Sequence, residues 1–323
     1  MTGLPQYRFS LVFMGGDRNH YGKQQYELPD NVVHLECHYL MDNLADAKPK
    51  PSKGKRTAFD TQRKLHDQFR SNEPVPAGVL SQALRDLGRK AGISKEDFLY
   101  SQESWQMIDE SYRQYCTEPS FVDYFWTIRV MHAPLFQIAE IARNIPATRT
   151  VHAISTGYAG LLGAMLNDIR GVPFILTEHG IYTKERKIDL SQAEWIRDVS
   201  DKVSTNLNDQ LGYIRQLWIR FFESLGRLAY QQADPIISLY LGNQQRVSQP
   251  RELPPQLLSE PGVNLSAHRA PIAPTENAPR PHQCANMLAC FRFMPASHEI
   301  ALILRPRKRL YFRIAHRMMA RSR

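Results

Sequence analysis

The stretch Val151 to Arg186, VHAISTGYAGLLGAMLNDIRGVPFILTEHGIYTKER, constrains the fold more than any other part of the chain. Arg149 to Ile154 is a short extended run, and Ser155-Thr156-Gly157 supplies a turn and an N-cap. From Tyr158 to Ile169, the residues Leu161, Leu162, Met165, Leu166 and Ile169 recur at helical spacing. Gly171 stands just past them, where a helix commonly ends on a residue tolerant of left-handed backbone. Val172 to Thr177 is a second apolar run, and Glu178-His179-Gly180 leaves it. Strand, helix and strand in that order make one βαβ crossover, the unit of a parallel sheet. In such sheets ligands bind just past the carboxyl ends of the strands. Two polar clusters fall there, Ser155-Thr156-Gly157 and Glu178-His179-Gly180.

The remaining chain fits around this unit. Tyr7 to Met14, ended by Gly15-Gly16, and Asn31 to Cys37 read as strands. On the second, His34, Glu36 and His38 share one face. Two histidines with no further ligands spaced to complete a set do not make a metal site, so this is a half-exposed strand face. Asp46 to Arg56 is a basic, proline-containing surface loop. Leu80, Leu84 and Leu87 make one helical stripe, and Trp105, Ile108, Tyr112 and Tyr115 make another, both read as core. Ser94 with Asp97 has the form of a capping box. Pro119 suits the first turn of the next helix, which Pro134 is expected to break or bend. Asp189 is predicted to cap a helix through Val199. Asn208 or Asp209 is predicted to open a long helix to Gln231, with Ile214, Leu217, Trp218, Phe221, Leu225 and Leu228 on its apolar face. Asp234 to Leu241 reads as the next buried parallel strand.

The net charge of +9 over 323 residues points towards nucleic acid or an anionic membrane only if it is spread over a folded surface. It is not. Residues 247–323 hold 12 Lys+Arg against 4 Asp+Glu, while the first 246 hold 29 against 28. The tail also carries 10 of the 21 prolines, and Lys308 is its only lysine. So abrupt a change near Val247 has two readings: a shift of reading frame near residue 246, or a naturally disordered extension. The four cysteines, Cys37, Cys116, Cys284 and Cys290, show no paired spacing. With no apolar leader after Met1 and no membrane-length apolar run, the expected location is the cytoplasm.

STGYAGLLGA followed by PFILTEHGIYTKER resembles the PelF family, glycosyltransferases of Pel exopolysaccharide synthesis among the family 4 retaining enzymes. LPQYRFSLVFMGGDRNHYGKQQYELPDNVVHLECHYL and Ala233 to Tyr240 are similar to the same family, so the likeness covers residues 1 to about 246. It implies a Rossmann-like, parallel-sheet N-terminal domain of a GT-B enzyme, the acceptor side, cut at both ends. Its glycine-rich opening loop and its nucleotide-binding second domain are not recognisable in this chain. By the resemblance, His179 is the catalytic residue. Glu178, Gly180, Tyr182, Lys184 and Arg186 shape the substrate rim, and Ser155, Thr156 and Gly157 offer a helix start to polar or anionic groups. The implied donor is a UDP-sugar, giving a hexose or N-acetylhexosamine. The implied acceptor is a polysaccharide or lipid-linked sugar, with membrane-bound Pel synthesis proteins as partners. No metal, further cofactor or nucleic acid is expected, and the chain alone is expected to be inactive.

Other chemistries fit less well. Ile154-Ser155-Thr156-Gly157 lacks the glycine two residues before serine that a nucleophile elbow needs. The glycines also lack dinucleotide-binding spacing. Two alternatives remain: a non-catalytic remnant, and a module binding anionic membrane or nucleic acid through a basic amphipathic helix at Arg305 to Arg323.

Overall fold

The computed structural model describes residues 1, 4–16, 18–20, 27–41, 55–70, 77–88, 92–117, 120–178, 181–196, 211–238 and 299–305. Six strands form one sheet: β1 Arg8–Gly15, β2 Val32–Tyr39, β3 Thr150–Ala153, β4 Phe174–Glu178, β5 Ile236–Ser238 and β6 Glu299–Arg305. Their spatial order is β2-β1-β6-β3-β4-β5. The pairs β1/β2, β3/β4 and β4/β5 are parallel, as the βαβ reading requires. β6 runs antiparallel to both its neighbours, β1 and β3.

Two features depart from the sequence expectations. The sheet is mixed, and its middle strand comes from the segment read as having no structure. EIALILR is a continuous apolar run of strand length, but it stands within the Pro/Arg-rich segment whose composition dominated the reading. Arg305 ends this strand instead of opening a basic helix, and residues 306–323 lie outside the described residues. Either side of β6 the strands run outward in chain order, so the direction of winding reverses in the middle of the sheet.

Eight helices are described: α1 Arg56–Arg70, α2 Ala77–Asp86, α3 Lys95–Tyr100, α4 Gln102–Tyr115, α5 Phe121–Asn144, α6 Tyr158–Arg170, α7 Tyr182–Gln192 and α8 Tyr213–Gln232. They share one continuous core with the sheet face that carries Val12, Met14, Val151, Ala153, Phe174 and Leu176. Leu4, Phe9 and Leu11 form a small separate cluster. The Leu80, Leu84 and Leu87 stripe is fully buried. The second stripe is only partly so: Ile108 is buried, but Trp105 is 53% exposed and rests against the rings of Phe121 and Phe125.

Local signals explain most helix ends. Ser94 and Asp97 make both bonds of the capping box. Ser101 and Ser120, which the sequence reading passed over, cap α4 and α5 by accepting from the amides of Ser104 and Asp123. Gly171 closes α6 at φ 63°, as predicted. Pro134 does not end α5, which continues through it to Asn144 with Pro134 buried inside. Tertiary burial there outweighs the lost amide bond. Pro119, Asn208 and Asp209 lie outside the described residues. Asp189 starts nothing: it lies within α7, which begins at Tyr182.

α6 packs directly on β4. A Cβ at Gly163 would overlap the ring of Phe174. Gly163→Ala should therefore lower stability by about 1–3 kcal/mol, read from urea unfolding, because neither the helix nor the ring has room to yield.

Two buried histidines meet in the same core. The rings of His66 on α1 and His132 on α5 lie 4.8 Å apart, and Phe98 stacks on His132 at 4.6 Å. His132 Nδ1 donates to the Ile128 carbonyl at 2.9 Å. Burial holds His132 down to about 4, against the upward pull of that bond. Burial first, and the neighbouring His132 second, hold His66 well below the ordinary value of 6.5. The pair therefore stays neutral in the folded state. Below about pH 6.5 the unfolded chain binds protons that the folded chain refuses until about pH 4. Stability from this pair is full above 6.5 and drains as the pH falls through that window. Denaturation midpoints taken from pH 7 to 4 should show it, and His132→Phe should flatten part of the fall.

Candidate functional site

The carboxyl edge of the sheet gathers Gly15-Gly16 after β1, Ser155-Thr156-Gly157 after β3, Glu178 at the end of β4 and Ser238 at the end of β5. β3 and β4 pair Val151 with Phe174, His152 with Ile175 and Ala153 with Leu176. Carried two residues further, that register sets Ser155 level with Glu178. Glu178 itself is level with Ser238. Ser155 and Glu178, one from each polar cluster picked from sequence, therefore stand level with each other.

Their side chains turn inward more than the sequence suggested. Thr156 is fully buried, and Glu178 is 1% exposed. Tyr230 on α8 donates its hydroxyl to Glu178 Oε1 at 3.2 Å. The Tyr182 amide points at Oε2 at 3.5 Å, a long bond that places the carboxyl at the start of α7. Burial pushes the Glu178 acid up to about 8, while the Tyr182 amide, the Tyr230 hydroxyl and nearby Thr156 pull it down and Glu185 pushes it up. Thr156 Oγ1 reaches no partner of hydrogen-bonding geometry, and nor does the buried Ser155 Oγ. Thr156 thus acts on the carboxyl as a nearby dipole. α6 begins after Gly157, which places no side-chain bond on the first turn, so the expected side-chain N-cap is absent.

The other chosen residues separate. Tyr182 is half-buried in the first turn of α7, and Lys184 is exposed on the same helix. Arg186 turns towards α8, its guanidinium 4.7 Å from the centre of the Phe222 ring and 3.9 Å from Asp189. His179 and Gly180 lie outside the described residues. Sequence reasoning missed Tyr230, which stands off the apolar stripe of α8 and 52 residues from Glu178. It also missed His152, whose Nε2 lies 2.7 Å from Thr177 Oγ1 on adjacent strands. Only strand pairing reveals that contact.

α7 is held in place from α8. Arg215 donates to the carbonyls of Leu190 at 2.6 Å and of Ala193 and Ile196 at 3.1 Å, tying down the end of α7 and the turn after it. The helices meet closely at Gly226, where a Cβ would run into the Thr183 methyl.

His34 and His38 both bond Glu36, at 2.6 and 2.9 Å, on a partly buried strand face, while Val33, Leu35 and Cys37 make the more exposed one. Among the described residues no group of three or more His, Cys, Asp or Glu side chains is gathered as for a metal ion. The two best-formed concavities there lie elsewhere, one between α2 and α6 beside Arg85 and Asp168, the other beside Pro5, Arg8 and Asn31. No described helix is long and apolar enough to cross a membrane.

Against known families, residues 1–250 match the one described as a domain of unknown function, DUF3492. The chain belongs to the DUF3492 family. No curated protein and no solved structure matches it. The family match ends close to the point, near residue 246, where the composition changes.

Gly226→Ala should displace α7 from α8 and with it the rim. We expect a loss of about 1–3 kcal/mol in urea unfolding, and amides of 182–186 should exchange faster than those of α6.

Proposed function

We propose that this DUF3492 chain is the acceptor-side, Rossmann-like domain of a retaining GT-B glycosyltransferase of the PelF type. The observation that carries the reading is the carboxyl edge where Ser155-Thr156-Gly157 follows β3 beside Glu178 at the end of the parallel neighbour β4. His179 follows directly on that rim, and the TEHGIYTKER string is what likens it to the PelF family. The carboxyl edge of a sheet near a reversal of winding is where α/β proteins bind ligands.

In this reading a UDP-sugar supplies a hexose or N-acetylhexosamine, and the nucleotide is held by a second domain. As the diphosphate departs, positive charge develops on the sugar, and catalysis rests on positioning and charge stabilisation. His179 hydrogen-bonds the donor sugar and orients the acceptor without acting as a nucleophile. By the likeness to that family, Gly180, Tyr182 and Lys184 shape the rim, while Arg186 holds α7 against Phe222 of α8. The residues of this chain carry the acceptor side alone, so transfer from a UDP-sugar by the chain by itself should be absent. The reaction takes place in the cytoplasm, next to membrane-bound partners of exopolysaccharide synthesis.

Saturation-transfer NMR on the chain tests the acceptor assignment. N-acetylhexosamine oligosaccharides should receive saturation and UDP should not, and His179→Ala should abolish the effect. Saturation of UDP with none of the saccharides would overturn the reading. In a two-domain enzyme carrying this sequence, His179→Ala should lower turnover by on the order of a hundredfold with nucleotide affinity nearly unchanged.

A further inference from the structure

Among the described residues, Glu178 is the one buried side chain that carries a carboxyl. It is buried beneath the rim, and among the described residues no lysine or arginine forms an ion pair with it. Its contacts come from three directions: the Tyr182 amide at the start of α7, the Tyr230 hydroxyl on α8, and Thr156 after β3. α7 receives no cap from its own preceding residue, Ile181. Glu178, four residues before Tyr182, supplies the missing acceptor through space.

We propose that Glu178 is a positioning residue, a buried anchor that pins the first turn of α7, with Tyr182 on it, to α8 at the carboxyl edge of the sheet. The inference rests on reading that edge as the ligand-facing rim, and it assigns Glu178 a place behind the rim and not contact with substrate. Between β4 and the first turn of α7 only three residues intervene, and both ends of that span meet at this one carboxyl.

The anchor works as an uncharged acid. A carboxylate in this position would be a buried charge without a counterion, which is strongly destabilising. Of the groups around it, Glu185 on α7 disfavours ionisation, while the Tyr182 amide, the Tyr230 hydroxyl and Thr156 favour it, and burial outweighs them. With the folded acid raised to about 8 from an ordinary 4.5, the unfolded chain ionises first as the pH rises. The stabilising contribution is whole below 4.5 and is lost as the pH climbs through 8.

Glutamine preserves the shape, one acceptor and one donor, and cannot ionise. Amide exchange and thermal unfolding, on the whole chain, separate the roles. Glu178→Ala and Tyr230→Phe should speed exchange at residues 181–185 by about tenfold or more while β3 amides keep their protection. Glu178→Gln should restore protection there and remove part of the stability loss between pH 5 and about 8. The His179 ring resonance should move in Glu178→Ala and return in Glu178→Gln. Unchanged exchange at 181–185 in both Glu178→Ala and Tyr230→Phe would overturn the proposal. So would a Gln variant that keeps the wild-type alkaline slope, or one as unprotected as Ala. Should Glu178→Ala fail to fold, Tyr230→Phe and Glu178→Gln decide the matter. None of these readouts involves a sugar, so the anchor and the acceptor assignment fail independently.

Discussion

The close approach of α6 sets the geometry of everything around it. Gly163 lets the helix lie on Phe174 of β4, and Gly160 brings its first turn against Ala229 of α8 and the Ser155 carbonyl. Ordinary side chains at those two positions would lift the helix off both neighbours. With the helix seated, the turn at 155–157 lies low over the end of β3, and Thr156 is shut into the core. α8 is drawn in from the other side, bringing Tyr230 to Glu178. The rim is thus a product of backbone proximity, and the polar groups on it inherit their positions from packing.

The interior deals with ionisable groups by keeping them neutral. His66 and His132 are held uncharged among apolar and aromatic rings, and Glu178 is held protonated beneath the rim. The two cases draw on stability from opposite ends of the pH scale, because a suppressed base penalises acid conditions and a suppressed acid penalises alkaline ones. Surface ion pairs contribute little by comparison. The fork between Arg85 on α2 and Asp168 on α6 is exposed on the arginine side, and Arg63 reaches Glu110 across solvent. Arginines matter more where they close carbonyls. Arg215 does so for α7, and Arg170 does so past the end of α5, donating to the Ile145 carbonyl at 2.8 Å.

The sheet places the two halves of the chain on either side of β6. β1 and β2 run one way from it and β3, β4 and β5 the other, so the edges of β1 and β3 meet only through backbone bonds to residues 299–305. Both neighbours depend on that strand for the pairing of their inner edges. The functional reading needs only the β3-β4-β5 half, where the rim residues and the helices that hold them are contiguous in sequence from Thr150 to Ser238.

The sequence by itself determined the βαβ unit, because helical spacing over 158–169, a glycine at 171 and two apolar runs leave little choice of conformation. It also determined the capping box at Ser94, the buried leucine stripe of α2 and the place of Ser155 and Glu178 at the carboxyl ends of β3 and β4. All of these are local signals. Tertiary structure alone decided the rest. Propensity treats Pro134 as a stop, but burial on both sides carries α5 through it. Asp189 has the chemistry of a cap, yet the carboxyl of Glu178 starts the helix seven residues earlier. EIALILR became the central strand because two strand edges far away in the chain needed a partner, and nothing next to it in sequence records that need. For Glu178 the residue type was readable, while its neutrality was not. That follows from burial and from a tyrosine 52 residues away, which only the folded chain brings to it.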